Sequence, residues 1–168
     1  APDGVLAGTT GIGSDDHLLL IEFEKASGAS LRHRPYADRS VLTAALRAGD
    51  VQLAALPMAG SLPALRDGAI RAIASAGTAR FAFTPEVPTF AESGFPIDTR
   101  GVRSLVAPAG TPAAIVARLD AALAETMRDP AWIAEARSRS IPLQYRPGEA
   151  TRQIVLQEQA ALAALWAQ

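Results

Sequence analysis

The sequence predicts an α/β fold with a mainly parallel sheet flanked by helices. Three observations predict it. Residues 5 to 76 alternate short apolar runs with helical stretches in the order β-α-β-α-β-α-β, the pattern of a layered parallel sheet. The helical stretches stop at Gly28, Gly49 and Gly68, where glycine supplies the left-handed conformation that ends a helix. Finally, 168 residues with 49% hydrophobic and 20% charged side chains suffice for a buried core and exclude a disordered, collagenous or coiled-coil chain.

The elements follow in order. Val5-Leu6-Ala7 is a short buried strand ended by Gly8. A glycine-rich loop, Thr9-Thr10-Gly11-Ile12-Gly13-Ser14, leads into a helix that runs to Ser27. Ser14 suits the N-cap, and Asp15 and Asp16 suit the positive end of the helix dipole. Leu31 to Tyr36 alternates weakly as a strand, and Arg39 to Ala48 is a helix. Val51 to Leu56 is a third strand, Ser61 to Asp67 a short helix with Pro63 in its first turn, and Ile70 to Ser75 a fourth strand. Residues 77 to 100 are irregular, with one helical turn near Thr89 to Ser93. Val102 to Ala107 is a further strand. Thr111 caps a helix with Pro112 at its first position, on which Ile115, Val116, Leu119, Leu123 and Met127 share a face. Asp129-Pro130 starts another helix, through Ser138. A last helix follows Pro147-Gly148 and carries Ile154, Ala161, Leu162, Leu165 and Trp166 on one stripe.

Composition narrows the function. The formal net charge is −1 and the arginines are scattered, which gives no nucleic-acid footprint. The absence of cysteine excludes disulfides, thiol nucleophiles and thiolate metal sites. The longest apolar run, Ala160 to Ala167, is too short to span a bilayer. No basic segment followed by an apolar one opens the sequence, so either the protein is cytosolic or its true N-terminus lies upstream of Ala1.

The most informative local signal is the loop Gly8 to Ser14 between a strand and a helix. Backbone N–H groups at such a turn hold anions, and Thr9, Thr10 and Ser14 add hydroxyl donors. No Gly-Lys-Ser/Thr follows, so it is not a Walker loop. Ser14-Asp15-Asp16 stands where the dinucleotide fingerprint needs x-x-Gly. The two aspartates oppose a phosphate, so the pattern fits a carboxylate better. The competing reading is a tight turn without ligand. Ser14 and His17 lie one helical turn apart but lack the Gly-x-Ser-x-Gly elbow, which argues against catalysis. His17 then serves to hold the loop's shape. His17 and His33 fit no metal-ligand spacing. Ligands in parallel sheets sit at the carboxyl ends of strands, so the candidate rim is Thr9 to Ser14, Tyr36 to Arg39 and Leu56 to Gly60. There Arg39 can pair with a carboxylate in bidentate fashion, or stand as an exposed arginine at a helix start.

Taken together, several segments resemble one family. Gly11-Ile12-Gly13-Ser14-Asp15-Asp16-His17-Leu18 is similar to the Gly-x-Gly-Ser-x-x-His-Leu element of the solute-binding proteins of tripartite tricarboxylate transporters, the Bug/TctC group. Arg34-Pro35-Tyr36, Leu42 to Val51 and Ala69 to Ala74 match in family order. So do Val87-Pro88-Thr89-Phe90-Ala91-Glu92-Ser93-Gly94 and Ala107-Pro108-Ala109-Gly110-Thr111-Pro112, the most specific pieces. The resemblance covers essentially the whole chain. It implies a periplasmic binding protein-like (type II) lobe, a periplasmic location and no catalysis or cofactor. The implied partners are a small carboxylate (a di- or tricarboxylate, or an acidic amino acid) and membrane transporter subunits. Ligand contacts fall to Thr9, Thr10, Gly13, Ser14 and His17, with Tyr36 and Arg39 opposite.

Members of that family are nearly twice as long. Residues 1 to 101 then correspond to the second lobe. Residues 102 to 168, a strand and helices, return in the family to a first lobe absent from this chain. Apolar faces left without that partner must pack on the second lobe, pair in a homodimer or rearrange. The alternative function is a stand-alone interaction or dimerisation domain. The chain also departs from the family's Tyr-Lys-Gly-Gly at Tyr36-Ala37-Asp38-Arg39. It lacks the family's strand acids at Gln52 and Leu56, and Val102 replaces a tryptophan. Fewer acids and a new Arg39 shift preference further toward an anionic ligand, or mark a disused site.

Overall fold

The computed structural model describes residues 4–99 and 101–166, with the backbone alone at 161 and 164–166. The chain divides into two compact units, one ending at Gly101 and the other beginning at Val102.

The first unit is built on three parallel strands, β1 (Val5–Thr9), β2 (Leu31–Pro35) and β3 (Leu53–Ala54), in the order β2-β1-β3. Val5 pairs with Leu31 and Thr9 with Pro35, while Ala7 pairs with Leu53. Helix α1 (Asp15–Ser27) links β1 to β2, α2 (Arg39–Ala48) links β2 to β3, and α3 (Met58–Arg66) follows β3. The two-residue period of the strands sorts the core into two faces. On one face Ala7 and Ala55 pack with Leu20 of α1, joined by Leu19, Leu31 and Leu53. On the other, Leu6, Ala54 and Leu56 pack with Leu42, Ala45 and Val51 around α2. Each helix therefore covers its own face of the sheet. Because β1 is central, the chain reverses direction across the sheet beside it, which makes its carboxyl end a topological switch point.

The caps of α1 and α2 stand where the sequence places them. Ser14 accepts the His17 N–H, and Gly28 closes α1 at φ 70°. Asp38 accepts from the Ser40 and Val41 N–H groups, and Gly49 closes α2 at φ 81°.

Other elements differ from the sequence expectation. The β3 ladder is short, but Gln52 N–H to Leu6 O and Ala55 N–H to Gly8 O, each 3.1 Å, prolong its pairing at both ends. The helix expected from Ser61 begins earlier, at Met58, so Pro63 lies in its interior rather than its first turn; Pro57 stands at the N-cap without a side-chain bond. The fourth strand does not form a ladder. Only Ser75 pairs, with Thr89, in a single parallel bridge. Ser75 N–H reaches Pro88 O at 2.9 Å, and Pro88, lacking an N–H, cannot extend the pairing. The Thr-x-x-Glu piece of the following segment is a capping box. Glu92 N–H donates to Thr89 Oγ1 at 3.1 Å, Thr89 N–H donates to Glu92 Oε2 at 2.8 Å, and Arg80 pairs with the same carboxylate at 2.9 Å. Phe90 and Phe95 pack beside Phe23 of α1 at centroid distances of 5.8 and 5.3 Å.

The second unit carries α4 (Ala113–Thr126), α5 (Pro130–Ser138) and α6 (Gly148–Trp166). Residues 102–107 pair with no strand among the described residues, and Leu105 and Val106 are 81% and 91% exposed, which leaves this apolar run without a neighbour to form a ladder. Thr111 does not cap α4. Its hydroxyl donates to Pro108 O at 2.8 Å, and Pro112 occupies the N-cap. Asp129 caps α5 through the Trp132 N–H at 2.8 Å, and the Tyr145 hydroxyl donates to Asp120 Oδ1 at 3.0 Å. No residue of α4 is buried, and Ile115, Val116 and Leu119 stand about half exposed. The side chains of Ala161, Leu165 and Trp166 in the last stripe lie outside the described residues.

Candidate functional site

The carboxyl end of β1 gathers most of the predicted site residues. Thr9 is fully buried as the last residue of the strand, and its carbonyl accepts the Tyr36 N–H at 2.9 Å. That bond ties the end of β2 to the start of the loop. Gly11 and Gly13 take φ of 140° and 78°, which only glycine adopts without strain.

The loop's polar groups are largely satisfied from within. Thr9 Oγ1 lies 2.6 Å from His33 Nε2 and 3.3 Å from both the carbonyl and the N–H of Gly11. Thr10 Oγ1 donates to Asp16 Oδ2 at 2.7 Å. The Gly13 N–H donates to His17 Nδ1 at 3.0 Å. The Ser14 hydroxyl donates to Gly11 O at 2.8 Å and accepts the His17 N–H at 3.2 Å. A ligand carboxylate at this loop must therefore exchange with existing bonds. The imidazoles of His17 and His33 stack at 4.0 Å between centroids, 14° from parallel.

Burial pushes the Asp16 carboxyl above its ordinary range, and the neighbouring Asp15 adds to this, while bonds from the Thr10 hydroxyl and N–H pull it back. Burial likewise lowers His33, and the nearby His17 reinforces the effect against the opposing pull of Glu24. Asp38 is held below the ordinary carboxylate range, chiefly by the Ser40 hydroxyl and then by the Val41 and Ser40 N–H groups.

Tyr36 lies on the α2 face of the sheet. Its ring edge lies close to Gly8, where a Cβ would stand 3.2 Å from Cε2 and would also collide with Leu42 Cδ1. The Tyr36 hydroxyl is buried and has no hydrogen-bond partner among the described residues, and Arg34 Cζ sits 5.3 Å from the ring centroid. Arg39, exposed at the start of α2, lays its guanidinium over Gly60 at the start of α3, on the β3 side of the same edge. A side chain at residue 60 would displace it. Gly60 lies within the rim expected at Leu56 to Gly60 and Gly8 opens the expected loop; what the structure adds is the close approach of a side chain to each. A glycine within a strand, a sign of close approach, was the available signal for Gly8.

A depression of about 520 Å³ on the second unit is lined by Glu125, Asp129, Trp132 and Glu135. Its Asp129 caps α5 and its Glu135 pairs with Arg139 at 2.5 Å, so these carboxylates already have partners.

The chain is similar to known proteins. Residues 1–162 match the family model of the tripartite tricarboxylate transporter family receptor. A UPF0065 protein of Bordetella bronchiseptica is 28% identical over 151 residues, which is 90% of this chain and 44% of that protein. A solved TctC solute-binding protein from Polaromonas, without ligand, superposes with a TM-score of 0.83 at 24% identity, over 98% of this chain and 57% of its own. The R. palustris protein Rpa4515, solved with adipate, also gives 0.83, at 25% identity over 96% of this chain and 54% of its own. The chain spans about half the length of the proteins it matches.

Proposed function

The chain belongs to the tripartite tricarboxylate transporter receptor family, and from that premise we propose that it supplies part of an extracytoplasmic receptor site for a small carboxylate. Proteins of this family are solute-binding receptors, not enzymes. Two observations just past the carboxyl end of β2 carry the reading: the Tyr36 hydroxyl is buried without a hydrogen-bond partner among the described residues, and the exposed Arg39 guanidinium lies over Gly60. A phenol O–H and a guanidinium offer the donors a carboxylate needs. The glycine-rich loop Thr9–Ser14 forms the other wall. The adipate found in the R. palustris neighbour supports the ligand class. In this reading the unit ending at Gly101 is one lobe of the receptor. Residues 102–168 belong with the other lobe in the longer relatives, and the transporter's membrane subunits are the downstream partners.

Calorimetric titration with adipate and a panel of di- and tricarboxylates tests this, with the chain's mass fixed by light scattering. Saturable heat lost in Arg39→Ala and reduced in Tyr36→Phe is the expected result. A second reading, an interaction domain without ligand, draws on α4, none of whose residues is buried. It is favoured if no acid gives heat and scattering reports a defined dimer.

A further inference from the structure

Outside the Tyr36–Arg39 wall, the most unusual constellation is the histidine pair beneath the glycine-rich loop. The chain has two histidines, His17 on α1 and His33 on β2, and the fold stacks them ring on ring at 4.0 Å. Each ring holds a different part of the loop. His17 Nδ1 accepts the Gly13 N–H at 3.0 Å, and His33 Nε2 meets Thr9 Oγ1 at 2.6 Å.

The two contacts respond differently to a proton. Thr9 Oγ1 can accept from a protonated His33 while donating to Gly11 O, so that contact survives protonation. The His17 contact does not. An imidazolium has two N–H donors and no lone pair, so a protonated Nδ1 faces the Gly13 N–H donor to donor and the bond must break. Stacking makes the pair take its protons one at a time, since two like charges at this separation repel. Burial disfavours the charge on His33. Glu24 of α1 acts on His33, and Asp15 and Asp16 precede His17 in the first turn of the same helix. On β2, Arg32 and Arg34 alternate onto the opposite face of the strand from His33.

We infer that His17 is a proton-operated latch on the glycine-rich loop: neutral, it holds the Gly13 N–H; protonated, it releases that donor and places a cation beside it. Both changes favour an anion. Resting on the carboxylate reading above, the latch makes ligand binding take up a proton and tighten in mild acid.

The latch itself is tested without ligand by NMR of this chain. The Gly13 amide shift and its exchange rate are followed from about pH 7.5 to about pH 5.5, alongside the imidazole carbons of both histidines. The Gly13 amide is expected to titrate with the same midpoint as His17. In His17→Gln, whose amide oxygen can still accept but cannot titrate, the Gly13 amide becomes flat with pH; a dispersed amide spectrum shows that the variant is folded. A Gly13 amide indifferent to pH while His17 titrates, or one that still titrates in His17→Gln, overturns the latch. Adipate titration over the same range gives the second arm. Affinity should rise toward acid by up to about tenfold per pH unit, the limit for one linked proton, and lose that slope in His17→Gln. If adipate gives no heat at any pH while the Gly13 amide titrates as expected, the carboxylate reading fails and the latch stands. If adipate binds with no pH slope, the linkage fails and the carboxylate reading stands.

Discussion

Replacing Gly8 by alanine should destabilise the first unit, and that cost should largely vanish where Leu42 is already alanine. Gly8 lies within β1 at a negative φ, so alanine can adopt its backbone. The cost is steric. The new methyl would occupy the position of Leu42 Cδ1 and press on Tyr36 Cε2 at 3.2 Å. Overpacking of this kind costs about 1–3 kcal/mol. Leu42 is fully buried among Ala45, Val51, Leu6 and Tyr36, and Leu42→Ala should cost about 2–5 kcal/mol for lost transfer energy and cavity. The two changes address one volume, because the alanine methyl at residue 8 enters the space that Leu42 vacates. The double variant should therefore lose roughly 2–5 kcal/mol rather than the additive roughly 3–8, a coupling of about 1–3 kcal/mol. Both tryptophans, Trp132 and Trp166, fall after residue 101, and neither lies in β1 to report on it directly. Native-state exchange of the Ala7 and Gly8 amides of β1, and of the alanine amide in the variants, does so. An additive double variant, within about 0.5 kcal/mol, would refute the argument that these groups compete for one space. So would a Gly8→Ala chain as stable as the parent.

Ser14→Ala should cost about 1 kcal/mol by removing the α1 cap and should speed exchange of the His17 amide, which donates to Ser14 Oγ; unchanged exchange would show the cap to be idle. Asp16 has a folded pKa raised above its ordinary 3.8, so the folded state holds its proton more tightly. Its contribution to stability is complete below that value and is lost as pH rises through the folded one. Asp16→Asn should accordingly flatten the pH dependence of stability in that window, measured by urea midpoints at successive pH values, and a slope identical to the parent's would count against it. Thr89→Ala should cost about 1 kcal/mol by breaking the capping box and should hasten tryptic cleavage after Arg80, whose partner Glu92 loses its anchor. Arg39→Ala should weaken adipate binding by roughly tenfold to a hundredfold, the worth of a charge-assisted hydrogen bond, with the amide-exchange stability of β1 unchanged.

What the sequence disclosed depended on whether the signal was local. The boundaries of α1 and α2 were readable because a side-chain cap and a glycine stop bracket each helix, and these act within a few residues. The glycine-rich loop was readable as a turn for the same reason. The fourth strand was misread because Ile70 to Ser75 has strand composition, yet pairing depends on what lies opposite, and Pro88 there withholds a donor. The Gly60–Arg39 contact joins two helix starts across the edge of the sheet, and no spacing rule reports it. The specific Val-Pro-Thr-x-x-Glu piece was legible only as a resemblance. The structure supplies its physical cause, a capping box locked by Arg80.

The departure at Tyr36-Ala37-Asp38-Arg39 now has a physical reading. An acidic residue beside the proposed carboxylate site looks self-defeating, since like charges repel. Asp38, however, turns its carboxylate to the Ser40 hydroxyl at 2.5 Å and to the Ser40 and Val41 N–H groups at 2.7 and 3.0 Å. Its carboxylate caps the positive end of α2, where the Ser40 hydroxyl first, and then the Val41 and Ser40 N–H groups, hold its pKa down. Arg39 is the next residue, and its side chain is led away from that cap to Gly60. The aspartate therefore fixes the helix that presents the arginine. This arrangement predicts a hierarchy. Asp38→Asn, which keeps a capping acceptor, should preserve adipate affinity. Asp38→Ala, which frays the first turn of α2, should weaken it through Arg39 even though a negative charge has been removed. Tighter binding in Asp38→Ala would mean that the aspartate acts on the ligand directly, and that the cap is not what positions Arg39.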